Sequence, residues 1–172
     1  SVSSLGEAVV PLTRDRRILG PSIVCFDPRG ESYLPRLAAA MPNDRLYRLN
    51  GNTLGNPYSL TKLLWTREHA PELYGQTDVF LHWSGTVSFL LGAEPVTDFS
   101  LANRTLLFDV DRGGWSDELL AWSGLDRDKL PRTAPSGTAV GTVSRALADE
   151  LGLAPDTLIA AGAHDQCANA VG

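Results

Sequence analysis

The residues with the clearest chemical potential lie in the run Leu158-Ile-Ala-Ala-Gly-Ala-His-Asp-Gln-Cys-Ala-Asn-Ala-Val-Gly172. A short apolar segment, residues 158–161, ends at Gly162. His164, Asp165 and Gln166 follow, and then a small-residue helix begins at Cys167. This is the pattern of a buried strand, a tight turn and a carboxylate fixed where a helix starts. A carboxylate so placed is held in direction and stays reachable from outside a sheet. It can take the proton of a bound hydroxyl, the general-base step in phosphoryl transfer to an alcohol. Asp is also a common N-cap, and on local sequence alone the cap is the commoner reading.

The rest of the chain alternates strand and helix patterns that could hold such a turn. Residues 7–12 and 22–26 read as strands, with a polar turn at 14–17 between them. Residues 31–41 read as a helix with Leu34, Leu37, Ala38 and Met41 on one face, Pro35 in its first turn and Pro42 as its stop. Residues 43–58 are polar and Gly/Asn-rich and read as a loop, the kind of segment that often carries ligand contacts. Ser59 caps a helix of residues 62–69 that Pro71 ends. A strand at 78–82, a helix at 83–91 closed by Gly92, and a strand at 106–110 with a turn at 111–114 come next. Ser116 caps a helix over 117–123, residues 140–143 are extended, and Ser144 caps a helix closed by Gly152. No internal repeat and no low-complexity segment interrupts the series.

Composition excludes several classes. The 172 residues are 43% hydrophobic and 20% charged, ordinary globular usage with enough chain for one domain with a core. A net charge of −5 without a basic run gives no expectation of nucleic-acid binding. The apolar runs are too short for a membrane span, so no membrane partner is expected. Cys25 and Cys167 stand far apart without metal-ligand spacing, which suits a reducing cytoplasm, and Cys167, at a small-residue helix start, reads as a packed small side chain.

Several stretches, taken in order, point further. They are Pro57-Tyr-Ser-Leu-Thr-Lys-Leu-Leu-Trp-Thr-Arg-Glu-His69 with Ala70-Pro-Glu-Leu-Tyr74, Thr97-Asp-Phe-Ser-Leu-Ala-Asn-Arg-Thr-Leu-Leu-Phe108, and Trp115-Ser-Asp-Glu-Leu-Leu120. Leu130-Pro131, Pro135-Ser-Gly-Thr-Ala-Val-Gly-Thr142 and the Gly162-Ala-His-Asp-Gln166 turn complete them. In order and spacing this set resembles the FGGY carbohydrate kinases, the family of glycerol, xylulose, ribulose and rhamnulose kinases. The resemblance runs from about Ser3 to Gly172. Pro57 and Thr66 depart from the family signature around Lys62, which usually has a small or aromatic residue and an apolar one there.

The resemblance implies a fold and a site. These kinases have two actin-like, ribonuclease H-like domains with a cleft between them. Residues 1–172 would be a single α/β domain, an incomplete first domain with a mixed sheet and flanking helices. The opening hairpin with its phosphate-contacting turn and the nucleotide-binding second domain would be absent. No Gly-x-x-x-x-Gly-Lys-Ser/Thr or Gly-x-Gly-x-x-Gly run replaces them. The activity implied is ATP-dependent phosphorylation of a sugar or polyol hydroxyl. Asp165 would be the catalytic base, with Glu7, Asp27, Tyr58, His164 and Gln166 in contact with substrate. Trp65 would lie in the core and Lys62 would be structural. ATP and Mg²⁺ would bind through the missing domain, in a cytoplasmic enzyme for which a homodimer is left open.

Each site residue has a plainer alternative. Glu7, preceded by Gly6, stands where glycerol kinases carry an Arg-Glu pair and xylulose kinases a Met-His pair, both in contact with substrate hydroxyls. An ionised carboxylate accepts from two vicinal hydroxyls, but Glu7 also reads as a solvated strand residue. Gly6 departs from both patterns and either leaves room for a bulkier sugar or loses a contact. Asp27 also reads as a strand-end ion pair with Arg29, and Cys25 replaces the Trp of glycerol and xylulose kinases. Tyr58 reads as a pocket wall or as helix-edge packing. His164 stands where rhamnulose kinases also carry His and orients Asp165, touches substrate or sets the backbone. Asp98, Ser100 and Asn103 read as loop and cap hydrogen-bonders. Two other classes stay open: a non-catalytic carbohydrate-binding fragment or scaffold, and a metal-dependent hydrolase needing Asp27, Asp109 and Asp165 to converge.

Overall fold

The computed structural model describes residues 1–171; Gly172, the last residue of the small-residue run, lies outside the described residues. In chain order the strands and helices are β1 (Ser3–Ser4), β2 (Val9–Leu12), α1 (Leu34–Ala40), α2 (Asn43–Asn50), α3 (Ser59–His69), α4 (Pro71–Gln76) and β3 (Val79–His82). Then come α5 (Trp83–Leu91), β4 (Val96–Asp98), α6 (Phe99–Asn103), β5 (Phe108–Asp109), β6 (Gly114–Trp115) and α7 (Asp117–Ser123). β7 (Arg132–Ala134), β8 (Ala139–Thr142), α8 (Arg145–Leu151), β9 (Leu158–Ala160), β10 (Ala163–His164) and α9 (Asp165–Val171) complete it.

The strands form small sheets of mixed sense. β1–β10 and β4–β7 are parallel, while β2–β3, β5–β6 and β8–β9 are antiparallel. β2 and β3 are buried at every residue, which is why they read as short unbroken apolar runs. Three apolar clusters hold the helices against them. The largest joins α1, α2, α3 and α7 through Leu37, Leu46, Leu60, Leu64 and Leu119. A second packs Val10, Leu12, Val79, Leu81 and Phe89 between β2, β3 and α5. A third closes β8, β9 and α8 around Val140, Ile159 and Ala148. Gly85 in α5 allows this packing, since a Cβ there would lie 2.6 Å from the Val96 carbonyl oxygen.

Several expected elements are corrected. The strand expected over 7–12 is β2 and begins at Val9, because Glu7 takes a left-handed φ of 67°. Residues 22–26 form no strand. Asp27 N–H turns back to the Val24 carbonyl at 3.1 Å, and the Cys25 carbonyl accepts from Lys62 Nζ at 2.9 Å instead of from a ladder. The expected loop 43–58 contains α2. Pro42 stands at its N-cap, Leu46 is fully buried, and Gly51 closes it at φ 77°. Polar composition concealed this helix, whose apolar face is narrow. Pro71 both ends α3 and opens α4, since a first-turn proline lacks only a donor that would be unpaired anyway. Of residues 106–110, only Phe108 and Asp109 pair, because Leu106 is itself left-handed at φ 65°.

Candidate functional site

The turn between β1 and β2 meets the β10–α9 junction, and the meeting point is Gly6. Its φ is not left-handed, so the backbone does not demand glycine there. The constraint is steric: a Cβ at position 6 would lie 2.9 Å from both Cδ2 and Nε2 of His164. The space that a sequence reading leaves for a bulkier sugar is therefore taken by an imidazole. That ring is 12% exposed, and its Nε2 lies 3.2 Å from Asp165 Oδ1. The parallel pairing of Ser4 with His164 sets this register.

Asp165 opens α9, with its side chain 36% exposed. Its Oδ1 accepts the Gln166 backbone N–H at 2.7 Å, so the residue has the helix-start role and remains accessible as well. The Gln166 side chain is exposed beside it. His164 is anchored from behind. Its backbone N–H donates to Ser100 Oγ at 2.8 Å, and Ser100 donates in turn to Asp98 Oδ1. Asp98 caps α6 by accepting from Leu101 N–H at 3.1 Å, and burial pushes its carboxyl up from the usual carboxylate value. Deeper still, His82 is fully buried with Nδ1 3.2 Å from Thr97 Oγ1. Burial, with a smaller contribution from His164, pushes its imidazole down to about 3, so it is neutral.

Glu7 is buried and sits on the other side of Gly6. Its Oε1 accepts from Arg104 Nε at 2.5 Å and pairs with Arg104 Nη2, and its carbonyl accepts from Ser59 Oγ at 2.6 Å. Ser59 thus ties the start of α3 to the β1–β2 turn rather than capping its own helix. The Arg104 guanidinium lies over the Tyr58 ring at 4.7 Å, and Tyr58 Oη reaches Asn52 Oδ1 at 3.3 Å. Arg104 was not singled out by sequence reasoning. Its signal was a lone charge in the small and apolar run 99–108.

The structure links Glu7, Tyr58 and His164 through contacts of Gly6 and Arg104, and Asp165, with Gln166 next to it in the chain, lies against His164. It does not bring Asp27 to them. Both Asp27 oxygens are held by Arg29, at 2.9 and 2.6 Å, and this pairing holds the carboxyl down to about 2. The Asp27 loop is tied to the site region only indirectly. Asn56 donates to the Asp27 carbonyl, and Lys62 Nζ donates to the carbonyls of Cys25 and Asn56. Lys62 is structural, as its buried stem and downward-shifted ammonium also indicate. Trp65 lies at the cluster edge, between the Arg29 guanidinium and the His69 ring.

Asp109 is occupied locally, its Oδ1 accepting from the N–H groups of Asp111 and Arg112. Asp27, Asp109 and Asp165 thus have separate partners. Among the described residues, no group of three or more His, Cys, Asp and Glu is gathered that could hold a metal ion. The described residues do not make a Mg²⁺ site. No helix among the described residues is long and apolar enough to cross a membrane.

Comparison with known proteins identifies the fold and the family. The xylulose kinase of Bacillus subtilis strain 168 is 31% identical over 172 residues, which is all of this chain and 34% of that protein. The xylulose kinase of Escherichia coli strain K12 is 30% identical over 161 residues, 94% of this chain and 33% of that protein. The crystal structure of xylulose kinase from Rhodospirillum rubrum superposes with a TM-score of 0.91 at 25% identity, covering 99% of this chain and 35% of that one. The chain thus spans about a third of the length of these relatives. The mixed α/β architecture is that of the FGGY kinases and their actin-like fold class. The model of the FGGY carbohydrate kinase N-terminal domain matches residues 1–172. The chain belongs to the FGGY family of carbohydrate kinases, as an N-terminal domain.

Proposed function

We propose that this chain is the sugar-binding part of a kinase that phosphorylates a sugar or polyol hydroxyl, and that it supplies the catalytic base. The observation that carries this reading is the convergence, around Gly6, of a clamped acceptor (Glu7–Arg104) with an accessible carboxylate (Asp165). The protein hydrogen bonds of Glu7 fall on Oε1, which leaves Oε2 to accept from substrate hydroxyls. Those of Asp165 fall on Oδ1, which leaves Oδ2 to take a proton. Tyr58 provides an apolar wall, and the amide of Gln166 suits a rim hydroxyl. Asp27 acts through its loop rather than by touching substrate.

In the reaction so proposed, the substrate hydroxyl gives its proton to Asp165 as its oxygen attacks the phosphoryl group. ATP, bound mostly by a second domain, supplies that group. Glu7 fixes the neighbouring hydroxyls so that the attacking oxygen is in line. Positioning and electrostatics carry most of the rate, and the base contributes about 10²–10⁴-fold. Relatives named xylulose kinase favour a ketose, while another relative is named an L-fuculokinase. ADP release by the full-length protein, measured over ketoses, aldonates and polyols, tests the reading. Turnover with at least one of them is expected; no turnover with any would refute it.

A further inference from the structure

Gly6 and His164 form an interlock that the reaction above does not require. Glycine at position 6 is not needed for its φ, and the heavy atoms nearest the place of its missing Cβ are Cδ2 and Nε2 of the His164 ring, at 2.9 Å, and the Arg104 Cγ, at 3.4 Å. The glycine is there to admit the imidazole. If the ring merely filled space, an apolar side chain would fill it without burying polar nitrogens, whose burial is costly unless they find partners. The polar edge is instead delivered to one place: Nε2 stands 3.2 Å from Asp165 Oδ1. From behind, the main chain is held through Ser100 to the Asp98 cap of α6, so the ring is presented from a fixed support.

We propose that His164 is the positioning residue of the base: its imidazole, admitted by the absence of a side chain at Gly6, steers Asp165 Oδ1 so that Oδ2 faces the hydroxyl to be phosphorylated. The proton sits on Nε2, since Oδ1 can only accept. The contact is a near approach in the free site and closes to a hydrogen bond when substrate binds, as contacts in catalytic sites commonly do. With Gln166 N–H also on Oδ1, both donors hold the same oxygen, and the carboxylate has one orientation rather than two. This inference rests on the reading of Asp165 as the base.

The test is steady-state kinetics of the full-length protein with its best sugar, on Asp165→Asn, His164→Ala, His164→Gln, Gly6→Ala and the Gly6→Ala/His164→Ala pair. Asp165→Asn should lower kcat by at least about 10²-fold, as for loss of a general base, and His164→Ala by about 10-fold with sugar KM within about threefold. Gln carries an amide nitrogen at nearly the reach of Nε2, so His164→Gln should recover most of kcat. Gly6→Ala pushes the ring aside and should match His164→Ala, while adding less than about twofold in the His164→Ala background. Unchanged kcat in His164→Ala, a loss confined to KM, no recovery in His164→Gln, or a full further loss in the double variant would each overturn the proposal. If Asp165→Asn keeps its kcat, the base reading falls and takes this one with it. If Asp165→Asn is inactive while His164→Ala is normal, only the positioning role falls.

Discussion

Replacing Arg104 with Met should destabilise the β1–β2 turn and α6 together, and Glu7→Gln should relieve much of that effect. Glu7 is only 6% exposed, on a backbone with φ 67°, and Arg104 both pairs with its Oε1 and stacks on Tyr58. Removing one partner of a buried pair costs about 3–5 kcal/mol, because the other charge is left unpaired. The Arg104 side chain is 27% exposed, so solvent screens part of this, and about 1–3 kcal/mol is the expected loss. Glu7→Gln removes the stranded charge, so the double variant should be more stable than the sum of the singles by about 1–2 kcal/mol. Native-state hydrogen exchange of the full-length protein reads this locally, through the opening free energies of segments 3–12 and 99–105. A loss below about 0.5 kcal/mol without coupling, the range of an exposed ion pair, would refute the clamp.

Other perturbations have defined outcomes. Lys62→Met removes the ties to the Cys25 and Asn56 carbonyls, and a loss of about 2–3 kcal/mol with faster exchange of amides 25–30 is expected. Gly85→Ala sets a Cβ against the Val96 carbonyl and should cost about 1–2 kcal/mol despite the better helix propensity, read as a lower Tm. His82 is held neutral with its imidazole at about 3, well below the ordinary 6.5. The unfolded chain therefore binds this proton first. Its contribution to stability is complete above about pH 6.5 and is lost as pH falls towards 3, by up to roughly 1 kcal/mol per pH unit. Denaturation midpoints from pH 7 to 4 should show this slope, and His82→Gln should flatten it.

Legibility differed by element. Helices with strong stops were plain in the residues: α5 ends at Gly92, and α7 starts at Ser116, whose Oγ accepts from Leu119 N–H, and ends at Gly124. The order strand, glycine, Asp and helix at 158–171 was readable, but the strand is not the buried one expected: Leu158 is exposed and Ile159 alone of β9 is buried, β10 takes Ala163 and His164 from the expected turn, and α9 starts at Asp165 rather than Cys167. α2 was not readable, since Leu46 is its one fully buried leucine, Leu49 is only partly covered, and Asn43, Asp44, Arg45, Arg48 and Asn50 are polar. Residues 22–26 have strand composition, yet their hydrogen bonds go to Lys62 and a turn, which only the tertiary structure decides. Glu7, His164 and Asp165 could be singled out as candidates by type and position. Arg104 was not, because its partner lies 97 residues earlier in the chain. The role of Gly6 was hidden for the same reason, being defined by a ring 158 positions away that arrives through the β1–β10 pairing.

The claim that matters most is that Asp165 takes the proton of a hydroxyl held by this chain. Single-turnover phosphoryl transfer by the full-length Asp165→Asn variant, measured beside its affinity for the same sugar, tests it directly. A transfer rate lower by at least about 10²-fold, with sugar Kd changed by less than about threefold, is the expected result. Transfer at the wild-type rate would reduce Asp165 to a helix cap and contradict the assignment.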